Sequence, residues 1–252
     1  MTKMLDGKRI IVTGAAQGIG AALARGFCEM GAKVLLSDVA DPEQAAEQIR
    51  AAGGEAVAHQ GDVTKLEDCE AMVAKAEESF GGLDGLVNNA ALFAALPIEM
   101  QDEISPEMWD KVMSVNVKGS WLTTRAAVPA MERAGGGSVV MIATNRIFHG
   151  FPGMLHYDAS KGAVFAMTRS LIRELGPKNI RVNTIAPGLT MSEGVLAREG
   201  IQDRAPAIAA GRSLARDQQP EDLIGPCAFF LSDHSGFVSG QSLGVDGGGV
   251  IH

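Results

Sequence analysis

The chain has 252 residues, 46% of them hydrophobic, which is enough to bury a full core, and we expect one domain over residues 1–252. A formal net charge of -8 and the lack of a run of basic residues argue against nucleic acid as a partner. No apolar run reaches the roughly 18 residues of a membrane helix, and the N-terminal residues lack the pattern of an export signal. Since Cys28, Cys69 and Cys227 are far apart and show no metal-binding spacing, we expect a cytoplasmic protein with no metal and no membrane partner.

Short apolar or β-branched runs alternate with stretches of helical periodicity along the whole chain. Strands are predicted over residues 9–13, 33–37, 55–59, 83–87, 138–143, 181–185 and 242–245. Helices are predicted over residues 19–30, 42–52, 65–79, 106–131, 157–175 and 221–231. This alternation predicts an α/β fold with a doubly wound parallel sheet, helices on both faces, and ligands at the carboxyl ends of the strands. Segments 90–105 and 189–211 are the least regular, and because both follow strands, either could cover a substrate.

A glycine-rich turn separates the first predicted strand from the first helix. It reads Thr13-Gly14-Ala15-Ala16-Gln17-Gly18-Ile19-Gly20. The backbone N–H groups and the positive dipole end of the helix could bind the pyrophosphate of a dinucleotide, and the missing Cβ atoms would allow close approach. Because the spacing differs from G-x-G-x-x-G, a plain turn is the alternative.

The second predicted strand ends at Asp38, 18 residues after Gly20. A carboxylate at about this distance binds the adenosine ribose hydroxyls and repels a 2′-phosphate. Neither Gln17 nor Val39 supplies a cation that would attract that phosphate. We therefore expect NAD rather than NADP as the cofactor; the alternative is that Asp38 merely begins a turn.

Two further groups of residues follow strands at the same edge of the sheet. Asp62-Val63 comes after the third strand, and Asn88-Asn89-Ala90-Ala91 after the fourth. Asp62 is a candidate to contact the adenine amino group. It is also a candidate N-cap of the following helix, and the two roles are compatible.

Tyr157 and Lys161 are spaced four residues apart at the start of a predicted helix, so they share one face. A free tyrosine has a pKa of about 10, and a nearby lysine cation would favour the phenolate. Such a pair can serve as an acid/base group and its electrostatic partner. Taken alone, a tyrosine and a lysine with this spacing are more often exposed surface residues without a catalytic role.

The ordered set of motifs resembles the short-chain dehydrogenase/reductase family over nearly the whole chain. The motifs are Thr13-Gly14-x-x-x-Gly18-x-Gly20, Asp62, Asn88-Asn89-Ala90, Asn116, Tyr157-x-x-x-Lys161 and Pro187-Gly188. The resemblance implies a seven-stranded, Rossmann-like sheet in a homotetramer. It also implies that Tyr157 exchanges the substrate's hydroxyl proton, Lys161 holds the nicotinamide ribose and lowers the tyrosine pKa, and Asn116 positions a relay water. Without the resemblance, Asn116 could equally be a satisfied core amide.

Three positions depart from the family pattern. The catalytic serine that the resemblance implies is replaced by Thr144, which keeps the hydroxyl but adds a methyl group. Ala91 stands where glycine is usual, and Ser192 where threonine is usual near the nicotinamide carboxamide. The resemblance thus predicts Thr144, Asn116, Tyr157 and Lys161 as the catalytic residues.

The predicted cofactor-binding residues come from the loops after successive strands and from the catalytic helix. They are Gly14, Gln17, Gly18, Ile19, Gly20, Asp38, Asp62, Val63, Asn89, Ala90, Ala91, Tyr157, Lys161, Pro187, Thr190 and Ser192.

The substrate is predicted to be small and either apolar or cyclic, because apolar residues crowd the stretch before Tyr157. Core packing is the alternative for each of these residues, and no cluster of lysines or arginines is expected to bind a phosphate or CoA tail. His149 and His156 are candidate polar contacts. The predicted substrate residues are Phe93, Phe148, Phe151 and Met154.

Two stretches, Ala143-Thr144-Asn145-x-x-Phe148 and Pro187-Gly188-Leu189-x-x-Ser192-x-Gly194, look like the branch of the family that contains aryl secondary-alcohol dehydrogenases and a dehydrogenase of a ring-borne alcohol. We therefore expect an NAD-dependent enzyme that interconverts a secondary or ring-borne alcohol and its carbonyl. Sugar or cyclitol dehydrogenase and 3-oxoacyl reductase are the alternatives. The alternative from another class of protein is a sensor or scaffold that binds NAD without catalysis. The apolar run 245–251 is a candidate subunit contact.

Overall fold

The computed structural model describes residues 3–250. Seven parallel strands form one sheet in the order β3-β2-β1-β4-β5-β6-β7. They are β1 (Arg9–Thr13), β2 (Lys33–Asp38), β3 (Glu55–Gln60), β4 (Gly85–Asn88), β5 (Gly137–Ile142), β6 (Ile180–Pro187) and β7 (Ser242–Val245). All seven predicted strands and the predicted fold class are confirmed.

The helices cover both faces of the sheet. They are α1 (Gly18–Glu29), α2 (Glu43–Ala51), α3 (Leu66–Phe80), α4 (Pro106–Met113), α5 (Ser120–Arg133), α6 (Arg146–His149), α7 (Leu155–Leu175), α8 (Glu193–Leu196), α9 (Ile201–Ala210) and α10 (Ile224–Leu231). Short 3₁₀ turns follow α7, precede α10 and follow α10. The helices α6, α8 and α9 were not predicted: α6 and α8 have four residues each and are too short to show a helical period, and α9 contains Pro206, which disfavours a helix interior.

Two apolar cores lie on opposite faces of the sheet, because alternate residues of each buried strand point to opposite sides. On β1, Ile10 and Val12 contribute to the core that also contains Phe27 of α1. Ile11, between them, contributes to the other core with Met72 of α3. All of these side chains are almost completely buried.

The predicted helix 106–131 is interrupted by a π-helical segment, Ser114–Gly119, between α4 and α5. The start of α4 is fixed by two residues. Ser105 Oγ accepts a hydrogen bond from the Met108 N–H at 3.1 Å, and Pro106 stands at the first helical position. A wide turn of this kind contains an extra residue and is frequent at functional sites. The segment places Asn116 in the interior.

The strand order reverses between β1 and β4, which is where ligands bind in open α/β sheets. The loops after these strands are joined by the Asn89 amide, which donates to the carbonyls of Thr13 and Gly14, each at 2.9 Å. Thr13 Oγ1 in turn accepts from the N–H groups of Asn89 and Ala90 at 3.1 Å. Within residues 3–250, no helix has the length and apolarity needed to cross a bilayer.

Candidate active site

A cavity of about 1910 Å³ opens at the carboxyl ends of the strands. It is larger than the pocket of about 300–1,000 Å³ that one small ligand needs, so a dinucleotide and a substrate can share it. The loops after β1 to β6 contribute to its walls, together with the segment 189–211 and residues 90–98. Fifteen of the sixteen predicted cofactor residues line this cavity. Two of them, Tyr157 and Lys161, come from α7, and the others are Gly14, Gln17, Gly18, Ile19, Asp38, Asp62, Val63, Asn89, Ala90, Ala91, Pro187, Thr190 and Ser192.

The turn between β1 and α1 provides an open helix start at one end of the cavity. Gln17 stands at the N-cap, and no side chain caps the first turn. Gly14 has a φ of +65°, and a Cβ on it would lie 2.7 Å from Cα of Ala90. Gly20 does not line the cavity; a Cβ there would lie 2.1 Å from the Gly14 carbonyl oxygen, so this glycine is required for packing of the turn. The uncapped N–H groups and the close cradle fit a pyrophosphate.

Asp38 lies at the end of β2 and at the edge of this cavity. Its carboxylate accepts hydrogen bonds from the N–H groups of Ala16, at 3.0 Å, and Ala40, at 3.1 Å. Asp38 can therefore both begin a turn and bind a ribose, because the two N–H groups orient its carboxylate and leave it in the cavity wall.

Asp62 lies where it could contact a ligand, but it is not the N-cap of α3. Its carboxylate lines the cavity, and its Oδ1 accepts from the N–H and the hydroxyl of Thr64 at 2.9 and 2.8 Å. It forms a turn before α3 rather than the N-cap itself, which is Lys65. Burial opposes its charge, but the hydrogen bonds from Thr64 and the charges of Lys65 and Lys118 outweigh that effect and lower its pKa.

The four predicted catalytic residues come from three elements that converge beneath the cavity. Tyr157 and Lys161 lie on the first two turns of α7, Thr144 follows β5, and Asn116 lies on the π-helical segment. All four are buried, and Tyr157, Lys161 and Thr144 line the cavity. The Lys161 ammonium donates to the Ile142 carbonyl at 2.7 Å, and its Nζ lies 5.8 Å from the centre of the Tyr157 ring.

Burial dominates the ionisation of the Tyr157 and Lys161 pair. It raises the pKa of Tyr157 above its ordinary value, although a hydrogen-bonding interaction with Thr144 and the charge of Arg146 act in the opposite direction. Burial also lowers the pKa of Lys161 to about 8. The expectation that Lys161 depresses the tyrosine pKa is therefore not met in this arrangement, because the ammonium turns toward Ile142. The raised pKa keeps the Tyr157 phenol in its neutral form at neutral pH.

Asn116 does not line the cavity, because its amide is fully engaged in the interior. Its Oδ1 accepts from the Leu92 N–H at 2.8 Å, and its Nδ2 donates to the Leu92 carbonyl at 3.3 Å and to Ser160 Oγ at 3.0 Å. Ser160 Oγ also donates to the Tyr157 carbonyl at 2.7 Å. The side chain thus clamps the loop after β4 onto the helix that carries Tyr157, which agrees with the core-amide alternative.

The predicted substrate residues are only partly brought together. Phe93 packs on Tyr157 with ring centres 4.8 Å apart, and Phe151 and Met154 also line the cavity. The prediction for Phe148 is wrong, because its ring lies outside the cavity lining and packs edge-on against Phe165. His149 lines the cavity and stacks on Phe151, with ring centres 4.6 Å apart.

The prediction for His156 as a polar contact is also wrong. Its side chain is completely buried and outside the cavity lining, because it lies on the same side of α7 as Ser160, one turn away. Neither of its ring nitrogens has a hydrogen-bond partner among residues 3–250.

Two pairs of polar residues that sequence reasoning missed support the catalytic loop. Arg146 forms a double hydrogen bond with Asp158, through Nε at 2.9 Å and Nη2 at 3.1 Å. Asn145, directly after Thr144, donates to the buried carboxylate of Asp246 at 2.9 Å. The loop that carries Thr144 is therefore held from the helix of Tyr157 and from the C-terminal segment.

Four arginines line the cavity, although no cluster of lysines or arginines for a phosphate or CoA tail was expected from the sequence. They are Arg146, Arg198, Arg204 and Arg212. They come from parts of the chain that are distant in sequence or lie on the irregular segment 189–211, so no basic run indicates them.

Comparisons with known proteins agree over almost the full length of the chain. A family model described as enoyl-(acyl carrier protein) reductase matches residues 14–249. An uncharacterised oxidoreductase of Thermotoga maritima is 37% identical, covering 96% of this chain and 97% of its own. Dehydrogenase/reductase SDR family member 4 of Sus scrofa is 36% identical, covering 98% and 88%. A solved structure from Sinorhizobium meliloti, assigned as a short-chain alcohol dehydrogenase, superposes with a TM-score of 0.88 at 32% identity and covers 97% and 96%.

Proposed function

Since the chain belongs to the short-chain dehydrogenase/reductase family of oxidoreductases, we propose that it interconverts a small secondary or ring-borne alcohol and its carbonyl with NAD. The observation that carries this proposal is the burial of Tyr157, Thr144 and Lys161 together in one wall of a cavity whose far end carries Asp38. A nicotinamide cofactor supplies the hydride acceptor or donor when it is bound.

Tyr157 is proposed to move the proton of the reacting hydroxyl. In carbonyl reduction, the neutral phenol that burial favours donates its proton to the substrate oxygen as that oxygen gains charge. In alcohol oxidation, the phenolate takes the hydroxyl proton back, and this direction requires additional positive charge near the ring. Lys161 supplies that charge only if its ammonium leaves the Ile142 carbonyl, 2.7 Å away.

Thr144 is proposed to hold the substrate oxygen beside Tyr157. Its Oγ1 accepts a hydrogen bond from the Arg146 N–H at 3.2 Å, which orients the hydroxyl and leaves its own proton to donate. Donation to the substrate oxygen stabilises the negative charge that develops there during reduction. The Thr144 hydroxyl and the Tyr157 phenol would thus both donate hydrogen bonds to the substrate oxygen.

NAD preference is proposed from the charge at the adenosine end of the cavity. Asp38 and Asp62 line the cavity, and both carry a carboxylate. Val39, directly after Asp38, is 68% exposed and carries no charge that would neutralise a 2′-phosphate. Electrostatic repulsion of that phosphate disfavours NADP.

A small apolar or cyclic substrate is proposed from the side chains next to Tyr157. Tyr157 packs in one apolar cluster with Leu96, Val112 and Met154, and Phe93 borders it. A flat ring can stack in such a site. Sugars and cyclitols, which carry many hydroxyl groups, would leave those groups without partners against this wall.

We also propose a cytoplasmic homotetramer. Large apolar side chains are exposed on separate faces, including Trp121 on α5, Phe237, and Leu243 on the edge strand β7. The run 245–251 is described only as far as Val250, and Ile251 lies outside the described residues. Size-exclusion chromatography with light scattering tests the assembly, and a monomer would contradict it.

The experiment that tests the activity follows NADH absorbance over a panel of secondary alcohols, ketones and ring aldehydes, with NADP measured in parallel. Tyr157→Phe is the control, because it removes the proton-transferring hydroxyl and keeps the ring. We expect turnover that depends on Tyr157. Tight NAD binding with no turnover over the whole panel would instead indicate a non-catalytic NAD-binding protein.

A further inference from the structure

The segment between β6 and residue 211 forms a cover over the substrate end of the cavity, and we call residues 189–211 the cover segment. Its helices α8 and α9 bury Met191, Val195, Ile201 and Ala205 against one another. Phe93, from the loop after β4, packs on the same cluster. This cluster packs internally, whereas Leu196 and Ile208 of the same segment stay exposed. Two arginines of the cover segment, Arg198 and Arg204, line the cavity and can contact a ligand.

Arg198 ties the cover segment to the loop after β4. Its Nη2 donates to the Leu96 carbonyl at 3.0 Å and its Nη1 to the Phe93 carbonyl at 3.4 Å. A guanidinium has five N–H donors in a fixed plane, so these two bonds leave three donors. Arg198 also lines the cavity, where those donors can meet a ligand.

The position of Arg198 relative to Tyr157 follows from the ring between them. The guanidinium carbon lies 5.4 Å from the centre of the Phe93 ring, and that ring centre lies 4.8 Å from the centre of the Tyr157 ring. The guanidinium is therefore no more than about 10 Å from the phenol ring. A molecule of one ring and a few substituents spans this distance, whereas a pantetheine arm is far longer.

The positive charge here has no protein counterion. Within the described part of the chain neither Arg198 nor Arg204 forms an ion pair, whereas Arg146 is neutralised by Asp158. Burial, and then the charges of Arg204 and Arg146, lower the pKa of Arg198, so these cations are close enough to repel one another. Arg198 is half-buried, so its unpaired charge is costly, and a bound anion relieves that cost; Arg204 is exposed and adds a second positive charge to the same site.

The acidic residues around the cavity do not provide this compensation. Asp110 and Glu199 line it, but within residues 3–250 neither forms an ion pair with Arg198 or Arg204. Arg212 is a different case, because its buried guanidinium donates to the carbonyls of Leu189 and Arg216, each at 2.8 Å, and so holds the end of the cover segment. Arg198 and Arg204 are left as the pair that can receive a ligand.

We propose that Arg198 and Arg204 bind an anionic group of the substrate, a carboxylate, sulfonate or phosphate, so that the substrate is a small alcohol or ketone with an acid group across the molecule from the reacting carbon. This inference rests on the proposed function, whose substrate it specifies. A planar guanidinium binds two oxygens of such a group at once, which would fix the orientation of the reacting carbon under Tyr157.

The test compares two substrates of one skeleton, para-(1-hydroxyethyl)benzoate and its neutral amide, with saturating cofactor. We expect kcat/KM to favour the acid by about tenfold to hundredfold, the range of a charge-assisted hydrogen-bonded pair. Arg204→Gln should remove most of this preference. Arg198→Gln, which also breaks the bonds to Phe93 and Leu96, should remove the preference and lower kcat/KM for the amide as well, and Arg198→Lys should restore part of the preference. Lys75→Gln, which removes an exposed positive charge outside the cavity lining, is the matched control.

A purely structural role for Arg198 gives a different result, because a loosened cover segment lowers kcat/KM for both substrates alike. Arg204 separates the two cases, since it is exposed and makes no hydrogen bond or ion pair within residues 3–250. An acid preference that persists in both glutamine variants, or no acid preference in the unaltered protein, would overturn the proposal. Efficient reduction of a long acyl thioester without an arginine dependence would do the same.

Binding measured without turnover separates this proposal from the proposed function. Calorimetric titration of the cofactor complex with para-ethylbenzoate and para-ethylbenzamide uses ligands that lack a reacting hydroxyl. Selective binding of the benzoate, lost in Arg204→Gln, would support the anion site even if no alcohol is turned over. Equal binding of both ligands, or none, would contradict the anion site even if other alcohols are oxidised.

Discussion

The ammonium of Lys161 donates its hydrogen bond to the backbone carbonyl of Ile142 rather than to the phenol of Tyr157. The lysine is almost completely buried, and its pKa is lowered from 10.5 to about 8 by burial. Because the fold disfavours this cation, Lys161 lowers the free energy of unfolding, as functional residues often do.

Lys161→Met should therefore stabilise the protein while abolishing activity. Below pH 8 the folded protein holds a proton that burial disfavours, and the unfolded chain keeps that proton until about pH 10.5, so the cost is full below 8 and disappears as the pH rises to 10.5. The variant should raise the free energy of unfolding at pH 7 by up to about 3 kcal/mol, with a gain that shrinks above pH 8. Urea unfolding at several pH values measures this, and a gain independent of pH would contradict it.

Thr144→Val should lower kcat by on the order of 10², because it keeps the shape of the side chain and removes the hydroxyl. Thr144→Ser should keep most of the activity, since the hydroxyl remains. Steady-state kinetics with the best alcohol of the panel measure both variants. Full activity of the valine variant would refute a role for the hydroxyl in positioning the substrate oxygen.

Asp38→Asn should shift the cofactor preference toward NADP. Removing one negative charge at the adenosine end should raise the ratio of kcat/KM for NADP to that for NAD by about tenfold, equivalent to roughly 1.4 kcal/mol of relieved repulsion. The matched control is Asp41→Asn, an exposed carboxylate three residues away that does not line the cavity. The same shift in both variants would indicate a general charge effect and not a contact.

Asp246→Asn should destabilise the loop that carries Thr144. The carboxylate accepts from the N–H groups of Gly248, Gly249 and Val250 and from the Asn145 amide, at 2.9 to 3.1 Å, and an amide can accept at only one of its two ends. We expect a loss of about 1–3 kcal/mol in the free energy of unfolding. Asp203→Asn on the exposed face of α9 is the control, and thermal unfolding of both variants decides whether the bonds matter.

The strands and the dinucleotide turn could be predicted because their signals are local. The run from Arg9 to Thr13 is apolar and β-branched, and Gly14, Gly18 and Gly20 follow it directly. Asp38 could be identified because it comes at the end of such a run. Parallel strands bring these ends to one edge of the sheet, so local patterns were sufficient to place them together.

The supporting contacts could not be predicted, because they join residues that only folding brings together. Arg198 bonds to Phe93 and Leu96, and Asp246 bonds to Asn145, about a hundred residues away in each case. For Phe148, in contrast, a contact that was predicted is absent from the cavity lining. It lies in the stretch expected to line the cavity, but the short helix α6 turns its ring toward Phe165.

The π-helical segment Ser114–Gly119 allows two incompatible demands on one helix to be met. Within the segment, Asn116 faces Leu92 and Ser160. Beyond the segment, on α5, Thr123 and Thr124 face the buried Asn88 side chain. Deleting one residue here would remove the extra residue of the wide turn, so Asn116 and its neighbours would take other positions around the helix axis. One of the two sets of bonds would then be lost, so this part of the chain should tolerate substitutions far better than changes in length.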